Sequence, residues 1–316
     1  MSSPPSPSVD NIVKATHLID PVFTGSPLMA HHTADDALGL RLFAKVETLN
    51  PIRSFKGRGA DYFMATRPGA IGTVVAASVG NFGQGLAYAA AKRGGKAIIF
   101  AAGNANPRKL DAMARLGAQV ILEGSDFDSA KAAARAYAAT HGLPFVEDGA
   151  VPEIAEGAGT IALEMTEALD RRGVALDAAI IPLGNGALLT GMGAWLKAAA
   201  PACRVIGVVA AAAPAMKLSF DHARLETTAT AATIADGIAV REPVAYALDC
   251  MREVVDEVLA VDEQSLSAAM TFCRDHYGLI VEPAGAAGIA ALLEQGEAFA
   301  GRTVATVLCG SNVANG

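Results

Sequence analysis

Apolar runs of strand length alternate with helix-like stretches along most of this 316-residue chain, and that alternation leaves few architectures open. "GTVVAAS" at 72–78 is followed by "GQGLAYAAAKR", "KAIIFAA" by "NPRKLDAMARLGA", and "AQVILEG" by "FDSAKAAARAYAATHG". Pro107 marks one predicted helix start, and Gly94-Gly95 and Gly117 mark helix ends. Such repeated strand–helix–strand units imply right-handed crossovers and a parallel sheet. A second series begins at "EIAEGAGTIALEMTEALDRRG", whose Gly173 suits a helix C-cap. It continues through "DAAIIPLGNGALLTGMGAWLKAAA" and "CRVIGVVAAAA" to "GRTVATVLCGSNV". The pattern predicts an α/β protein of two domains, each an open, mostly parallel twisted sheet flanked by helices. They meet at a cleft, with a boundary near "FVEDGAVPE".

Bulk properties narrow the function classes. A composition 52% hydrophobic and 18% charged is far from disorder. A net charge of -7 offers no basic footprint for nucleic acid or an anionic membrane. No apolar run reaches the roughly 18–20 residues of a spanning helix. The start, "MSSPPSPSVD", lacks the profile of a signal peptide, so residues 1–15 are expected as a flexible tail and the protein as cytoplasmic. Cys203, Cys250, Cys273 and Cys309 form no CxxC pair, which points to small core residues in a reducing compartment rather than a zinc site or disulfides. No HExxH, GxSxG or histidine-centred triad is visible.

Four glycine-bearing turns hold the polar residues that remain. In "ETLNPIRSFKGRGADYF" (47–63), Lys56 lies between Phe55 and Gly57 where an extended segment becomes a helix. Shielding by Phe55 and the positive end of the helix dipole both favour the neutral, nucleophilic amine that imine chemistry needs. In "ASVGNFGQG" (77–85), small residues at a strand end expose backbone N–H groups at a helix start, a place for a carboxylate or phosphate, with Asn81 as a side-chain donor. In "PLGNGALLTG" (182–191), a buried strand feeds a glycine loop that opens a helix, which suits a phosphate. A dinucleotide would need an acidic residue roughly 20–25 positions on, where "RVIGVVAAAAPAM" is apolar. In "VLCGSNV", Cys309 or Ser311 could meet an aromatic ring nitrogen.

A shielded lysine, an asparagine loop and a phosphate loop together describe pyridoxal 5'-phosphate (PLP). The chain resembles the fold-type II PLP enzymes of the serine/threonine dehydratase type from about residue 40 onward. It carries "SFKGRGA", "SVGNFGQG", "PLGNGALLTG", "ADGIAV", "EPAGAAG" and "LCGSN" in that family's order. The resemblance implies a tryptophan-synthase-β-like fold with the cofactor in the interdomain cleft. It makes 16–55 and 149–316 the large PLP-binding domain and 56–148 the small one. It makes Lys56 the Schiff-base lysine and the base at the substrate α-carbon, with Phe55 beside it, and Asn81 the partner of the cofactor 3'-oxygen. The backbone of Ser78, Val79, Gly80, Asn81 and Phe82 is expected to receive the substrate carboxylate. Gly184, Asn185, Gly186, Ala187 and Leu188 are expected around the phosphate, Asn185 and Ala187 departing from the usual run of glycines. Cys309 is expected against the pyridine nitrogen, and Glu282 either near the cofactor or as a helix cap.

A neutral partner such as Cys309 leaves the ring a weaker electron sink, which directs charge at the α-carbon toward expelling a β-substituent. The resemblance therefore implies an ammonia-lyase: β-elimination of serine, threonine or a bulkier 3-hydroxy amino acid to a 2-oxo acid and ammonia. β-Replacement, as in cysteine or threonine synthases, is the alternative, and a nucleotide-binding oxidoreductase a more remote one. Val79 stands where racemases of the family carry a serine, which disfavours racemisation. "VVAAAAPA" stands where metal-dependent members carry carboxylates, so no metal is expected. Phe82 replaces a common histidine and either shapes the pocket or packs. The chain ends four residues after Asn312, so no regulatory domain with isoleucine feedback is expected. A homodimer or homotetramer acting on a small amino acid completes the expectation.

Overall fold

The computed structural model describes residues 4–67 and 72–313; the first three residues of the expected tail lie outside them. The chain opens with α1 (Val9–Leu18), β1 (Leu28–Met29), α2 (His32–Leu38), β2 (Arg41–Val46) and α3 (Lys56–Ala65). Then β3 (Thr73–Ala77), α4 (Asn81–Lys92), β4 (Lys96–Ala101), α5 (Pro107–Arg115), β5 (Gln119–Leu122) and α6 (Phe127–His141) alternate. These three strands form a parallel sheet ordered β3-β4-β5. The remainder runs through α7 (Pro152–Asp170), β6 (Ala178–Pro182), α8 (Ala187–Ala199), β7 (Arg204–Ala210), α9 (Ala215–Asp221), α10 (Ala245–Val254), β8 (Glu257–Val261), α11 (Glu263–Tyr277), α12 (Pro283–Gln295) and β9 (Thr303–Leu308). Its six-stranded sheet is ordered β1-β2-β9-β6-β7-β8, parallel except for β1 against β2.

The continuous apolar runs follow from helices covering both faces of the larger sheet. Side chains alternate across a strand. Ala178 and Ile180 of β6 pack with Val304, Ile206 and Val208 on one face, under Ile289 and Ala290 of α12 and Leu266 of α11. Ala179 and Ile181 join Ala305, Val205 and Val209 on the other, under Ile161 and Met165 of α7 and Leu189 and Met192 of α8. Strand order turns at β6, with β7 on one side and β9 on the other, which opens a crevice at the carboxyl ends of these strands. The glycine loop after β6, the cysteine after β9 and the lysine loop after β2 all lie at this end.

Residues 9–18 correct the expectation of a flexible tail over 1–15. Ser8 caps α1 by accepting from the Asn11 amide, Ile12 and Ala15 are fully buried, and Asn11 Nδ2 donates to Glu156 Oε1 at 2.8 Å. The polar, proline-rich prefix masks this short amphipathic turn in the sequence. All four cysteines are buried and free. No helix among the described residues is long and apolar enough to cross a membrane.

Helices around the crevice touch backbone to backbone. A Cβ on Gly191 of α8 would lie 1.9 Å from the Ala155 carbonyl oxygen of α7, and one on Gly59 of α3 would lie 2.4 Å from the Ile154 oxygen. Gly191→Ala should therefore destabilise the fold by about 1–3 kcal/mol, because the clash outweighs the roughly 0.5–1 kcal/mol that alanine gains in an unobstructed helix. A denaturant midpoint equal to or above the parent's would show that α7 and α8 separate at no cost.

Candidate active site

Lys56 opens α3, and the loop before it is pinned at every turn. Asn50 Nδ2 donates to the carbonyls of Glu47 and Ser54, and its Oδ1 accepts from the Ile52 and Ser54 amides. The Phe55 amide and Ser54 Oγ both donate to the Cys309 carbonyl, at 3.1 and 3.2 Å. The lysine loop is thereby fastened to the end of β9. Lys56 Nζ lies 4.6 Å from the Phe55 ring centroid. It also donates to Asp148 Oδ2 at 2.5 Å, an acidic partner that "FVEDG" concealed as an apparent domain boundary.

Arg58, two residues on, is fully buried. Its guanidinium grips Glu47 Oε1 and Oε2, both at 2.8 Å, and Glu164 Oε1 and Oε2 at 2.7 and 2.9 Å. Lys45 adds a 2.6 Å bond to Glu164. Burial works to raise the Glu164 pKa, but Arg58 and Lys45 outweigh it and hold the carboxyl at about 2. The end of β2, the start of α3 and the middle of α7 are thus locked together beneath the lysine.

The turn after β3 divides its amides between two tasks. Ser78 Oγ accepts from the Gly80 and Gly83 amides at 3.2 and 2.9 Å, and the Ser78 amide donates to the Phe100 carbonyl. Of the five amides expected to face a carboxylate, Ser78 and Gly80 are therefore engaged, while those of Val79, Asn81 and Phe82 find no acceptor among the described residues. Asn81 Nδ2 donates to Glu282 Oε1 at 2.7 Å, and its Oδ1 accepts from Asn312 Nδ2 at 2.7 Å. Glu282 Oε2 takes the Asn312 amide. Glu282 stands at the N-cap of α12 yet makes no side-chain cap bond, because its carboxyl turns to Asn81 instead. Burial, with Asp236 nearby, pushes its pKa up to about 7.

Gly184, Asn185, Gly186, Ala187 and Leu188 carry five successive amides with no acceptor among the described residues. Gly186, at φ +98°, makes the left-handed step that turns them inward at the start of α8; a Cβ there would meet Ala247 at 2.6 Å. Such a cradle of main-chain donors fits a phosphate. Burial pushes the Cys309 thiol well up, so it stays a neutral thiol. Phe55, Lys56, Asn81, Glu282 and Cys309, residues 78–82 and residues 184–188 all line one cavity of about 460 Å³. That size suits a small cofactor with a substrate. The donor set, an amine, a cradle of amides and a neutral thiol, fits PLP.

Sequence reasoning missed what crosses the cleft. Lys109 of α5 pairs with Asp236, and Asp128 of α6 pairs with Arg241. Nothing local marks these residues as partners.

A model of the family described as "Pyridoxal-phosphate dependent enzyme" matches residues 19–310. An L-threonine ammonia-lyase from Geobacter sulfurreducens is 35% identical over 291 residues, covering 90% of this chain and 71% of that protein. An L-threo-3-hydroxyaspartate ammonia-lyase from Saccharomyces cerevisiae is 29% identical, covering 97% of this chain and 94% of that one. Among solved structures, a threonine deaminase (from "T.th.") superposes with a TM-score of 0.92 at 32% identity, over 98% of this chain and 100% of that one.

Two outcomes test the framework around the lysine. Arg58→Met leaves Glu47 without its buried counter-charge and Glu164 with Lys45 alone, so the unfolding free energy should fall by about 3–5 kcal/mol; a fall below about 1 would mean that water reaches Glu47. For Glu282, the unfolded carboxyl ionises near the ordinary 4.5 while the folded one keeps its proton to about 7. Its contribution is therefore lost as pH rises from about 4.5 to 7 and does not return above. Glu282→Gln should remove that loss, of about 3 kcal/mol, from the stability of the cofactor-free protein. Parallel pH profiles for parent and variant would contradict it.

Proposed function

The chain belongs to the pyridoxal-phosphate dependent enzymes, and from that premise we propose that it is an ammonia-lyase releasing a 2-oxo acid and ammonia from a small β-hydroxy amino acid, L-threonine or L-serine foremost. The observation that carries this is the convergence of Lys56, Cys309 and two arrays of free main-chain amides on one cavity at the carboxyl ends of β2, β3, β6 and β9. When bound, PLP supplies an electron-withdrawing system that stabilises negative charge at the substrate α-carbon.

The amides of 184–188 would hold the cofactor phosphate, aided by the N-terminal dipole of α8. Lys56 would bond the aldehyde and then, freed by the substrate amine, take the proton from the α-carbon. Its loop is tied to Cys309 and its helix, through Arg58, to Glu47 and Glu164, so the amine works from one side with little freedom to wander. The amides of Val79, Asn81 and Phe82 would orient the substrate carboxylate. Asn81 reaches the site from an anchored position between Glu282 and Asn312 and would meet the cofactor 3'-oxygen. Cys309 would offer its thiol to the ring nitrogen as a neutral partner, consistent with elimination over transamination. Val79 brings no second proton carrier, which supports elimination over racemisation. Phe82, only 6% exposed, closes the cavity wall.

The same proposal assigns 16–55 and 149–316 to the cofactor-holding domain and 56–148 to the small one. It takes the working assembly as two or four copies in the cytoplasm. Purified protein loaded with PLP should release 2-oxo acid and ammonia from L-threonine, L-serine or a bulkier 3-hydroxy amino acid. Lys56→Ala should lower that rate by on the order of 10²–10⁴-fold and abolish borohydride-fixed attachment of the cofactor. Absence of 2-oxo acid from every substrate would remove the proposal.

A further inference from the structure

We infer that Asp148 is a specificity-determining residue: it takes a hydrogen bond from a neutral or cationic substrate side chain and turns away anionic ones. The inference rests on the ammonia-lyase function proposed above. Asp148 lines the cavity, and its two oxygens are unequal. Oδ2 accepts from Lys56 Nζ at 2.5 Å, while Oδ1 is buried with no partner among the described residues.

The segment that carries it has little room to retreat. The Val146 amide donates to the Val75 carbonyl at 2.8 Å, and Phe145 bridges β3. Gly149, at φ +81°, packs so closely on the phosphate loop that a Cβ would lie 2.0 Å from the Asn185 carbonyl oxygen. Asp148 is thus held between the small sheet and the phosphate loop, facing the lysine.

Lys56 offers three donors as an ammonium and fewer once its nitrogen is committed to the cofactor aldehyde. A buried carboxylate deprived of its counter-ion is costly unless another donor arrives. A hydroxyl or ammonium on the substrate side chain supplies one; a carboxylate there cannot, and it repels Asp148. The free amides are taken up by the cofactor phosphate and the substrate α-carboxylate, and no side chain elsewhere in the cavity, among the described residues, is free to balance a further anion. Four basic side chains line it against seven acidic ones. Apart from Lys56, each basic group is already paired: Lys109 with Asp236, Lys131 with Glu147, and Arg241 with Asp128.

The test uses the PLP-loaded enzyme and two readouts. kcat/KM is compared for L-serine, L-threonine and L-threo-3-hydroxyaspartate. Calorimetric affinity is compared for L-alanine and L-aspartate, which carry no β leaving group. The parent should favour L-serine over 3-hydroxyaspartate, and L-alanine over L-aspartate, each by about 10-fold or more, and Asp148→Asn should narrow both ratios by about 10-fold. A merely structural role would lower all substrates together and leave the ratios unmoved, which would overturn the inference. Parent ratios near one would overturn it without any variant, and Asp148→Ser stands in should the asparagine variant fail to fold. A calorimetric ratio that shifts as expected in a protein turning over none of the three substrates, nor a bulkier 3-hydroxy amino acid, would uphold the charge selection and sink the ammonia-lyase function instead.

Discussion

The buried fork of Arg58 between Glu47 and Glu164 is the interaction on which the site depends. Four separate stretches meet there: Ser26 after α1, the end of β2, the second residue past the lysine, and the middle of α7. Taking these charges out of water costs several kcal/mol per ion, and only near-ideal geometry recovers it. A guanidinium has that geometry, because its planar donors can satisfy two carboxylates at once. An ammonium at the same place could not bind both Glu47 oxygens and both Glu164 oxygens. The consequence is local: α3 cannot rotate or slide without breaking the fork, so Lys56 at its first position is held to the cavity.

Main-chain geometry does the rest. Parallel strands deliver three loops to one end of a sheet, and the strand-order reversal at β6 leaves a gap between them. Helices α4 and α8 begin at that gap, so their unpaired amides point into it without any charged side chain being committed to anion binding. On the proposed function, this is how a cavity lined by more acids than bases would receive a phosphate and a carboxylate. Dipoles and N–H groups would carry anion binding, leaving side-chain charge free to select.

Legibility in the sequence follows the same division. The strands at 73–77, 96–101, 178–182, 204–210 and 303–308 could be read because strands buried on both faces are continuous apolar runs. The loops at 78–82 and 184–188 could be read because a backbone cradle needs glycines at fixed local spacing. Helix α1 could not, since only Ile12 and Ala15 of it are buried, behind a proline- and serine-rich start, while its Val13 and Leu18 face solvent. Nor could Asp148, whose partner lies 92 positions away, or Asp236 and Arg241, whose partners lie 127 and 113 positions away. A lone acid in a polar stretch carries no mark of the lysine it will meet; only the crossover topology brings them together.

The ion pairs of the cavity differ in depth, and the difference has a physical consequence. Glu47 and Arg58 are excluded from solvent, whereas the Asp236 side chain is 56% exposed and that of Arg241 is 40% exposed. Exposed pairs are screened and contribute about 0–1 kcal/mol, while a broken buried pair costs several. The floor is therefore fixed and the rim is loosely tied. Asp148 sits between these regimes, on a segment packed against the 184–188 loop through Gly149 and bonded to the small sheet through Val146. From there it can meet an incoming side chain without giving up its own position.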